Sequence, residues 1–307
     1  MSNKHLNNTS VTLESQTGRL AYNMTNDYMF RAVLQKNTKV LRGLIGALLH
    51  LDPETLDVKI TNPIILGQSF ANKDFVLDVN ILINHEIKLN LEMQIINYHN
   101  WKERSLSYLC RSFGNICQGD DYINAVPVIQ IGFLDFDLFP EAPEFYATYM
   151  MKNIKNGIIY TDKLRMSVIE LNHIELATEE DRLYEIDKWA TFFKLETWED
   201  IKAMAATNQY MQSAAGTIFE LSSDENIREL CRRRAEYEAD QKRNARNIAI
   251  IAEKDAIIAE KDAIIMEKES ALAETESALV ETESALEWQK SENERLIAEI
   301  RKLRERK

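Results

Sequence analysis

Hydrophobic residues follow two different periods along the first 245 residues. Helical spacing runs from about Asn26 to His50 and returns from Trp101 to Cys117 and from Asp181 onward. Short apolar runs of the kind found in strands lie at Val58–Ile60, Ile64–Leu66, Phe75–Ile83, Ile87–Ile96 and Val126–Phe136. The order helix, three strands, helix, strand and further helices predicts an α/β domain with a mixed central sheet flanked by helices.

The end of the chain has a strict period of seven residues. From Ala249 the segments AIIAEKD, AIIAEKD, AIIMEKE, SALAETE, SALVETE and SALEWQK follow one another, and no Gly or Pro occurs from 217 to 307. A seven-residue period turns the same helix face toward a partner every two turns, as in a coiled coil. The a positions are apolar: Ile251, Ile258, Ile265, Leu272, Leu279 and Leu286. The d positions are polar: Lys254, Lys261, Lys268, Thr275 and Thr282.

This repeat predicts a long C-terminal helix, with a coiled-coil dimer as one interpretation and a solvated single helix or low-complexity tail as the other. The predicted organisation is a flexible N-terminus over 1–21, a folded domain over 22–245 and the repeat helix over 246–307.

The charge of the chain is concentrated in the repeat. A net charge of −12 argues at first against a polyanion such as DNA as a partner. Residues 249–294, however, hold four basic and thirteen acidic side chains, a balance of −9, so the other residues carry only −3. That value is compatible with a local basic groove. The basic run Arg232 to Arg234 is interpreted as a solvated helix face, with a contact to nucleic acid as the alternative.

Several classes of protein are disfavoured by composition. Cys110, Cys117 and Cys231 form no close pair and no metal-binding spacing, which argues against a disulfide framework or a structural zinc site. No apolar run reaches about 18 residues and the first residues are polar, so we expect a cytoplasmic protein without a membrane anchor. No glycine-rich phosphate loop occurs, so no nucleotide cofactor is expected.

Residues 75–96, FVLDVNILINHEIKLNLEMQII, alternate between apolar and polar positions on two strands. With a turn centred on His85, antiparallel partners sum to about 170 and Asp78 lies nearly opposite Glu92. Two facing carboxylates repel each other, but a divalent cation such as Mg²⁺ reverses the sign of that interaction. An ordinary half-exposed hairpin with a polar outer face is the alternative.

An ordered series of motifs resembles the PD-(D/E)XK nuclease family transposases, also called Rpn or recombination-promoting nucleases. It comprises Asp27-Tyr-Met-Phe30, Asp78, Leu91-Glu92-Met93-Gln94, Arg104 with Tyr108, Gly119-Asp-Asp-Tyr122, Pro127-Val-Ile-Gln-Ile and Asp187-Lys-Trp189-Ala-Thr-Phe192-Phe193. The similarity covers roughly residues 22–240. It implies a restriction-endonuclease-like core, αβββαβ, that cleaves DNA phosphodiester bonds with a metal ion.

By position, the resemblance makes Asp78 and Glu92 the metal-binding carboxylates and adds Gln94 as the third catalytic residue. Gln94 stands where the wider superfamily has Lys, and an amide can orient a water or a phosphate but cannot supply charge. Asp27 either assists the metal or caps the first helix.

Four further residues are candidates for contacts with DNA. Arg104 and Tyr108 lie one turn apart on one helix face, where they either contact phosphate or pack on the sheet. Lys73 and Lys102 are additional candidates for the DNA backbone.

The resulting hypothesis is an endonuclease dependent on Mg²⁺ or Mn²⁺ that promotes recombination or acts on mobile or invading DNA, and that dimerises through its C-terminal helix. The alternative is a catalytically silent, oligomerising interaction protein derived from a transposase-like nuclease.

Overall fold

The computed structural model describes residues 12–63, 78–114 and 121–305. In that part of the chain the first helices are α1 (Asp27–Lys36) and α2 (Thr38–Leu49). The strands are β1 (Val58–Ile60), β2 (Val79–Ile83), β3 (Ile87–Gln94), β4 (Val128–Leu134), β5 (Tyr146–Tyr149) and β6 (Leu164–Glu170), with α3 (Trp101–Phe113) between β3 and β4. The later helices are α4 (Glu179–Leu183), α5 (Ile186–Lys194), α6 (Trp198–Ala205), α7 (Gln209–Ser223) and α8 (Glu225–Glu305).

The six strands form one mixed sheet in the order β1-β2-β3-β4-β6-β5. The central pairs β3/β4 and β4/β6 are parallel, whereas β1/β2, β2/β3 and β5/β6 are antiparallel. The predicted α/β class with a mixed, helix-flanked sheet is confirmed. β5 and β6 were not predicted: β5 is only four residues long, and the alternation of apolar and polar residues in β6, which is typical of a strand, was not used.

The predicted run at Ile64–Leu66 and the first three residues of the run Phe75–Ile83 lie outside the described residues.

The amphipathic stretch from Asn26 to His50 is two helices rather than one. Asn37 separates them, because its side-chain oxygen accepts hydrogen bonds from the backbone N–H of Lys39 and Val40 and so caps α2. Its amide nitrogen donates to the hydroxyls of Ser213 and Thr217 on α7, at 2.9 and 2.8 Å. The cap therefore also attaches α2 to α7.

One face of the sheet is covered by the main hydrophobic core. Phe30 of α1, Phe133 of β4 and Phe193 of α5 form a cluster of edge-to-face rings, with centroids 5.2 to 5.6 Å apart. The core fixes α1 against β3 and β4. The opposite face of these strands carries the polar residues described below.

Contacts divide the chain into a first unit, residues 1–242, and a second, residues 243–307. α8 begins after Asp224, whose carboxylate accepts from the backbone N–H of Asn226 and Ile227 and separates α8 from α7. No helix in the described ranges combines the length and the hydropathy needed to span a bilayer.

Candidate active site

The hairpin β2–β3 has the register that the sequence predicted. Asn84 and His85 both have positive φ, as a tight turn between antiparallel strands requires. Val79 pairs with Leu91, so Asp78, directly before β2, is next to Glu92 across the hairpin. This register is confirmed, and it brings two carboxylate residues to neighbouring strands.

The polar face of β3 is buried. Asn90, Glu92 and Gln94 are only 5%, 6% and 7% exposed. A half-exposed hairpin was the alternative interpretation, and for these three residues it is wrong. Buried polar groups destabilise a protein unless they have hydrogen-bond or ion-pair partners. The contacts of these three side chains therefore indicate whether the face has a structural or a functional role.

Helix α3 covers this face, and Gly132 on β4 makes room for it. Gly132 pairs with Glu92, and a Cβ atom built on it would lie 2.1 Å from the indole of Trp101. Trp101 begins α3 and is buried against the sheet. The absence of a side chain at Gly132 therefore allows α3, and the arginine it carries, to lie close to the strand of Glu92.

Arg104 of α3 forms an ion pair with Glu92 Oε1. The guanidinium also lies 5.9 Å from the ring centroid of Tyr108, one turn along the helix. Burial lowers the pKa of Arg104, while Tyr108 and the Asp78 carboxylate act in the opposite direction. Asp78 is thus within electrostatic range of the same guanidinium. The predicted pair Arg104 and Tyr108 is brought to the carboxylates.

The second oxygen of Glu92 faces an amide that the sequence reasoning missed. Gln130 Nε2 donates to Glu92 Oε2 at 3.4 Å, and Gln130 Oε1 accepts from Asn90 Nδ2 at 2.8 Å. Gln130 is a lone polar residue inside the apolar run of β4 and is 1% exposed. A polar residue in an otherwise apolar central strand was the available signal.

Asp78 is held by its backbone. Its carbonyl oxygen accepts from the guanidinium of the fully buried Arg31 and from Asn62 Nδ2 at 3.0 Å. Asn80 Nδ2 donates to Asp78 Oδ2 at 3.1 Å. Arg31 is therefore a positioning residue, and only its place in the folded domain reveals this.

Gln94 has one end of its amide fixed. Its Nε2 donates to the backbone carbonyl of Ile96 at 2.8 Å, just past the end of β3. This contact orients the side chain within the buried face, two residues beyond Glu92.

Asp27 is paired with an arginine 207 residues away. Both of its oxygens accept from Arg234 Nε of α8, at 2.7 and 2.6 Å. The cap of α1 is Asn26, which accepts from Met29 N at 3.1 Å. Burial raises the pKa of Asp27, although Arg234 acts in the opposite direction.

Arg234 also lies 3.5 Å from Glu238 Oε1, one turn further along α8. Burial, followed by the charge of Asp27, raises the pKa of Glu238 to about 8. By contrast Arg232 and Arg233 are half-exposed and pair with Glu229. The three arginines therefore do not form one solvated face, and the interpretation of this run was wrong for Arg234.

Among the described residues, no contact links the lysine candidate Lys102 to Asp78 or Glu92. Lys102 is exposed and its ammonium lies 5.4 Å from the ring of Phe139. Lys73 lies outside the described residues.

A family model for the PD-(D/E)XK nuclease family transposase matches residues 24–247. The chain belongs to this family. The predicted resemblance is confirmed, and membership of a PD-(D/E)XK nuclease family supports a nuclease-like function and implies binding to DNA. No curated protein and no solved structure matches the chain.

PD-(D/E)XK nucleases generally use divalent metal ions. Asp78 and Glu92 supply the hard carboxylate oxygens that Mg²⁺ and Mn²⁺ prefer. Glu92 is buried, pairs with the Arg104 guanidinium and accepts a hydrogen bond from the Gln130 amide. A cation between the two carboxylates would relieve the repulsion that their adjacency creates.

Proposed function

We propose that this protein is a metal-dependent DNA endonuclease, with Asp78 and Glu92 as metal ligands and Gln94 beside them. The observation that carries the proposal is the adjacency of Asp78 and Glu92 across the β2–β3 hairpin on a buried polar face. Bound Mg²⁺ or Mn²⁺ would lower the pKa of a water and offset charge on the phosphate. The biological substrate in this proposal is mobile or invading DNA, or a recombination intermediate.

Other residues of the chain would position the two carboxylates and the attacking water. Arg31 and Asn62 hold the backbone of Asp78, and Asn80 restricts its carboxylate. The remaining oxygen of the Gln94 amide is available to orient a water or a phosphate oxygen. Gln130 holds Glu92 from the neighbouring strand.

Arg104 is proposed to supply the positive charge that the wider superfamily takes from a lysine. Gln94 occupies that lysine position and carries no charge, whereas Arg104 contacts the Glu92 carboxylate from α3. When a cation neutralises Glu92, the guanidinium can turn to a phosphate oxygen, for which its fork of donors is suited. In the metal-free protein the same guanidinium offsets the charge of Glu92.

Replacing Arg104 by Met tests this assignment through two readouts. We expect a lower maximal rate of plasmid nicking, by about tenfold or more, because one charge-assisted contact to phosphate is lost. We also expect the Mg²⁺ concentration for half-maximal activity to fall, because Glu92 loses a competing cation. The measurement is nicking of supercoiled plasmid over a series of Mg²⁺ concentrations.

Arg111→Met is the matched control, since Arg111 is exposed and lies on the same helix. It should leave both quantities unchanged. If Arg104→Met alters neither the rate nor the Mg²⁺ dependence, Arg104 has no role beyond packing.

A second candidate function is self-assembly through the repeat helix, and the exposure of its a positions favours it. Ile251, Ile258, Ile265, Leu272, Leu279 and Leu286 are each between 51% and 58% exposed in the single chain. Apolar residues at a constant seven-residue spacing form a seam that a second copy could cover. Such a dimer would provide two nuclease domains for cuts on both DNA strands. The alternative, a catalytically silent interaction protein, would form the same dimer but would not cleave DNA.

Charges placed on this seam should separate the copies. We expect the double variant Ile265→Glu, Leu279→Glu to sediment as a monomer, because each buried a position contributes about 1.5 to 3 kcal/mol to association. The control is Met266→Glu, Val280→Glu, which changes exposed apolar residues one position further along the helix. Sedimentation velocity of full-length protein is the measurement, and a wild-type monomer at all concentrations would remove the self-assembly proposal.

A further inference from the structure

A second group of potential metal ligands lies at the carboxyl ends of β4 and β6. The two strands are parallel neighbours, and Leu134 at the end of β4 pairs with Glu170 at the end of β6. The loops that follow them therefore leave the sheet at the same edge. Asp137 is in the first loop and His173 in the second.

The side chains of these residues converge. One ligand atom from each of Asp137, Glu170 and His173 lies within 4.8 Å of the others. His173 Nε2 is 3.1 Å from Asp137 Oδ1 and 3.8 Å from Glu170 Oε2. Ligands bound tetrahedrally to zinc at about 2.0 Å stand about 3.3 Å apart, so these separations need little adjustment.

A buried carboxylate oxygen without a partner points into this group. Glu170 is 4% exposed, and within the described chain its Oε2 has no hydrogen-bond partner. Its other oxygen accepts from the backbone N–H of Leu138 at 3.1 Å, which fixes the carboxylate. His173 Nε2 is also buried, and its neighbour at ion-pair distance is Asp137 Oδ1, at 3.1 Å. A buried carboxylate oxygen without a hydrogen bond, as Glu170 Oε2 is, indicates a missing partner.

Neighbouring groups orient the histidine but do not replace that partner. Glu175 Oε1 lies 3.4 Å from His173 Nδ1, so with a metal bound a proton on Nδ1 would face Glu175 and the Nε2 lone pair would be free for the ion. A carboxylate behind a metal-bound histidine is a common arrangement at zinc sites. Lys194, the nearby cation, bonds instead to Leu171 O at 2.9 Å and to Asp135 Oδ1 at 3.3 Å.

We propose that Asp137, Glu170 and His173 bind a divalent transition metal of the Zn²⁺ class. One imidazole nitrogen with two carboxylate oxygens suits Zn²⁺ better than Mg²⁺ or Ca²⁺, which favour all-oxygen sites. The metal would join the loop after β4 to the end of β6. The site shares no ligand with Asp78 and Glu92, so it stands independently of the proposed nuclease centre.

The test is a calorimetric titration of tag-free, full-length, metal-free protein with Zn²⁺ alone, followed by Co²⁺ as a spectroscopic probe. We expect one equivalent of Zn²⁺ at this site, in addition to any bound by Asp78 and Glu92, and a visible Co²⁺ absorption band. Affinity should fall at least about tenfold in His173→Ala and in Asp137→Asn, since each removes one direct ligand. Asp137 is 40% exposed at its side chain, so its variant should fold normally.

Two controls separate this site from others. His85→Ala removes an exposed histidine that lies beside Asp57, and Zn²⁺ affinity should not change. Asp78→Asn should also bind Zn²⁺ at Asp137, Glu170 and His173 with wild-type affinity, whether or not its plasmid-nicking activity falls. The proposal is overturned if wild type binds no Zn²⁺, or if His173→Ala and Asp137→Asn, folded by circular dichroism, bind it as tightly as wild type.

Discussion

Replacing Asp78 by Asn is expected to reduce plasmid nicking in Mg²⁺ by about 100-fold or more. The change removes one of the two proposed metal carboxylates, and loss of about 3 kcal/mol of transition-state stabilisation corresponds to that factor. The side chain keeps its size, and the backbone carbonyl of residue 78 still accepts from Arg31 and Asn62. We therefore expect the fold to be unchanged, as measured by circular dichroism and thermal unfolding.

Asp57→Asn provides the matched control. Asp57 is an exposed carboxylate beside the turn of the same hairpin, and it forms an ion pair with the exposed His85. Its nicking rate should equal that of wild type. Equal cleavage by wild type and Asp78→Asn, in preparations free of contaminating nuclease, would show that Asp78 is not a metal ligand.

The hairpin at the centre of the site was predictable because its determinants are local. Alternation of apolar and polar residues assigns the faces of β2 and β3, and a turn at His85 sets the register. These two facts alone place Asp78 beside Glu92. The burial of Glu92 was not predictable, because it depends on α3 lying against β4 at Gly132.

The partners of the carboxylates were harder to predict because they come from distant parts of the chain. Gln130 reaches Glu92 from the next parallel strand, and Arg234 reaches Asp27 across 207 residues. Sequence spacing identifies residues that share a helix or a hairpin, whereas these contacts follow from how separate elements pack. The run Arg232 to Arg234 shows the difference, since only the third arginine faces the domain.

Charge composition was informative only after it was divided along the chain. Outside the repeat the balance is near neutral, and three buried or partly buried arginines are paired with acidic groups or a carbonyl oxygen. Arg104 pairs with Glu92, Arg234 with Asp27, and Arg31 with the backbone at Asp78. The positive charge near the proposed centre is therefore engaged in the protein itself, and DNA or metal binding would have to redistribute it.

Arg234→Met is expected to destabilise the folded domain by about 3 to 5 kcal/mol near pH 8, because it leaves the buried Asp27 carboxylate without its ion-pair partner. Methionine retains much of the apolar volume, so the loss reports on charge. Glu238, whose pKa is already raised to about 8 by burial and by Asp27, also loses a compensating cation.

The destabilisation should depend on pH in a defined direction. Both carboxyl groups have folded-state pKa values above their ordinary values, so their protonated forms are favoured in the folded protein. Stability linked to each group is present below its ordinary pKa near 4 and is lost as pH rises through its raised value, which is about 8 for Glu238. Removing Arg234 raises both values further. The deficit relative to wild type should therefore be smallest near pH 5 and largest near pH 8, as measured by urea unfolding at both values.

Arg233→Met is the control, since Arg233 is about half-exposed and pairs with Glu229 on the surface of α8. It should shift the unfolding midpoint only slightly at either pH. If Arg234→Met is as stable as Arg233→Met at pH 8, the Asp27 carboxylate does not need its arginine. An equal loss at pH 5 and pH 8 would instead assign the effect to packing of the side chain, because only an unpaired carboxylate becomes less costly when it is protonated.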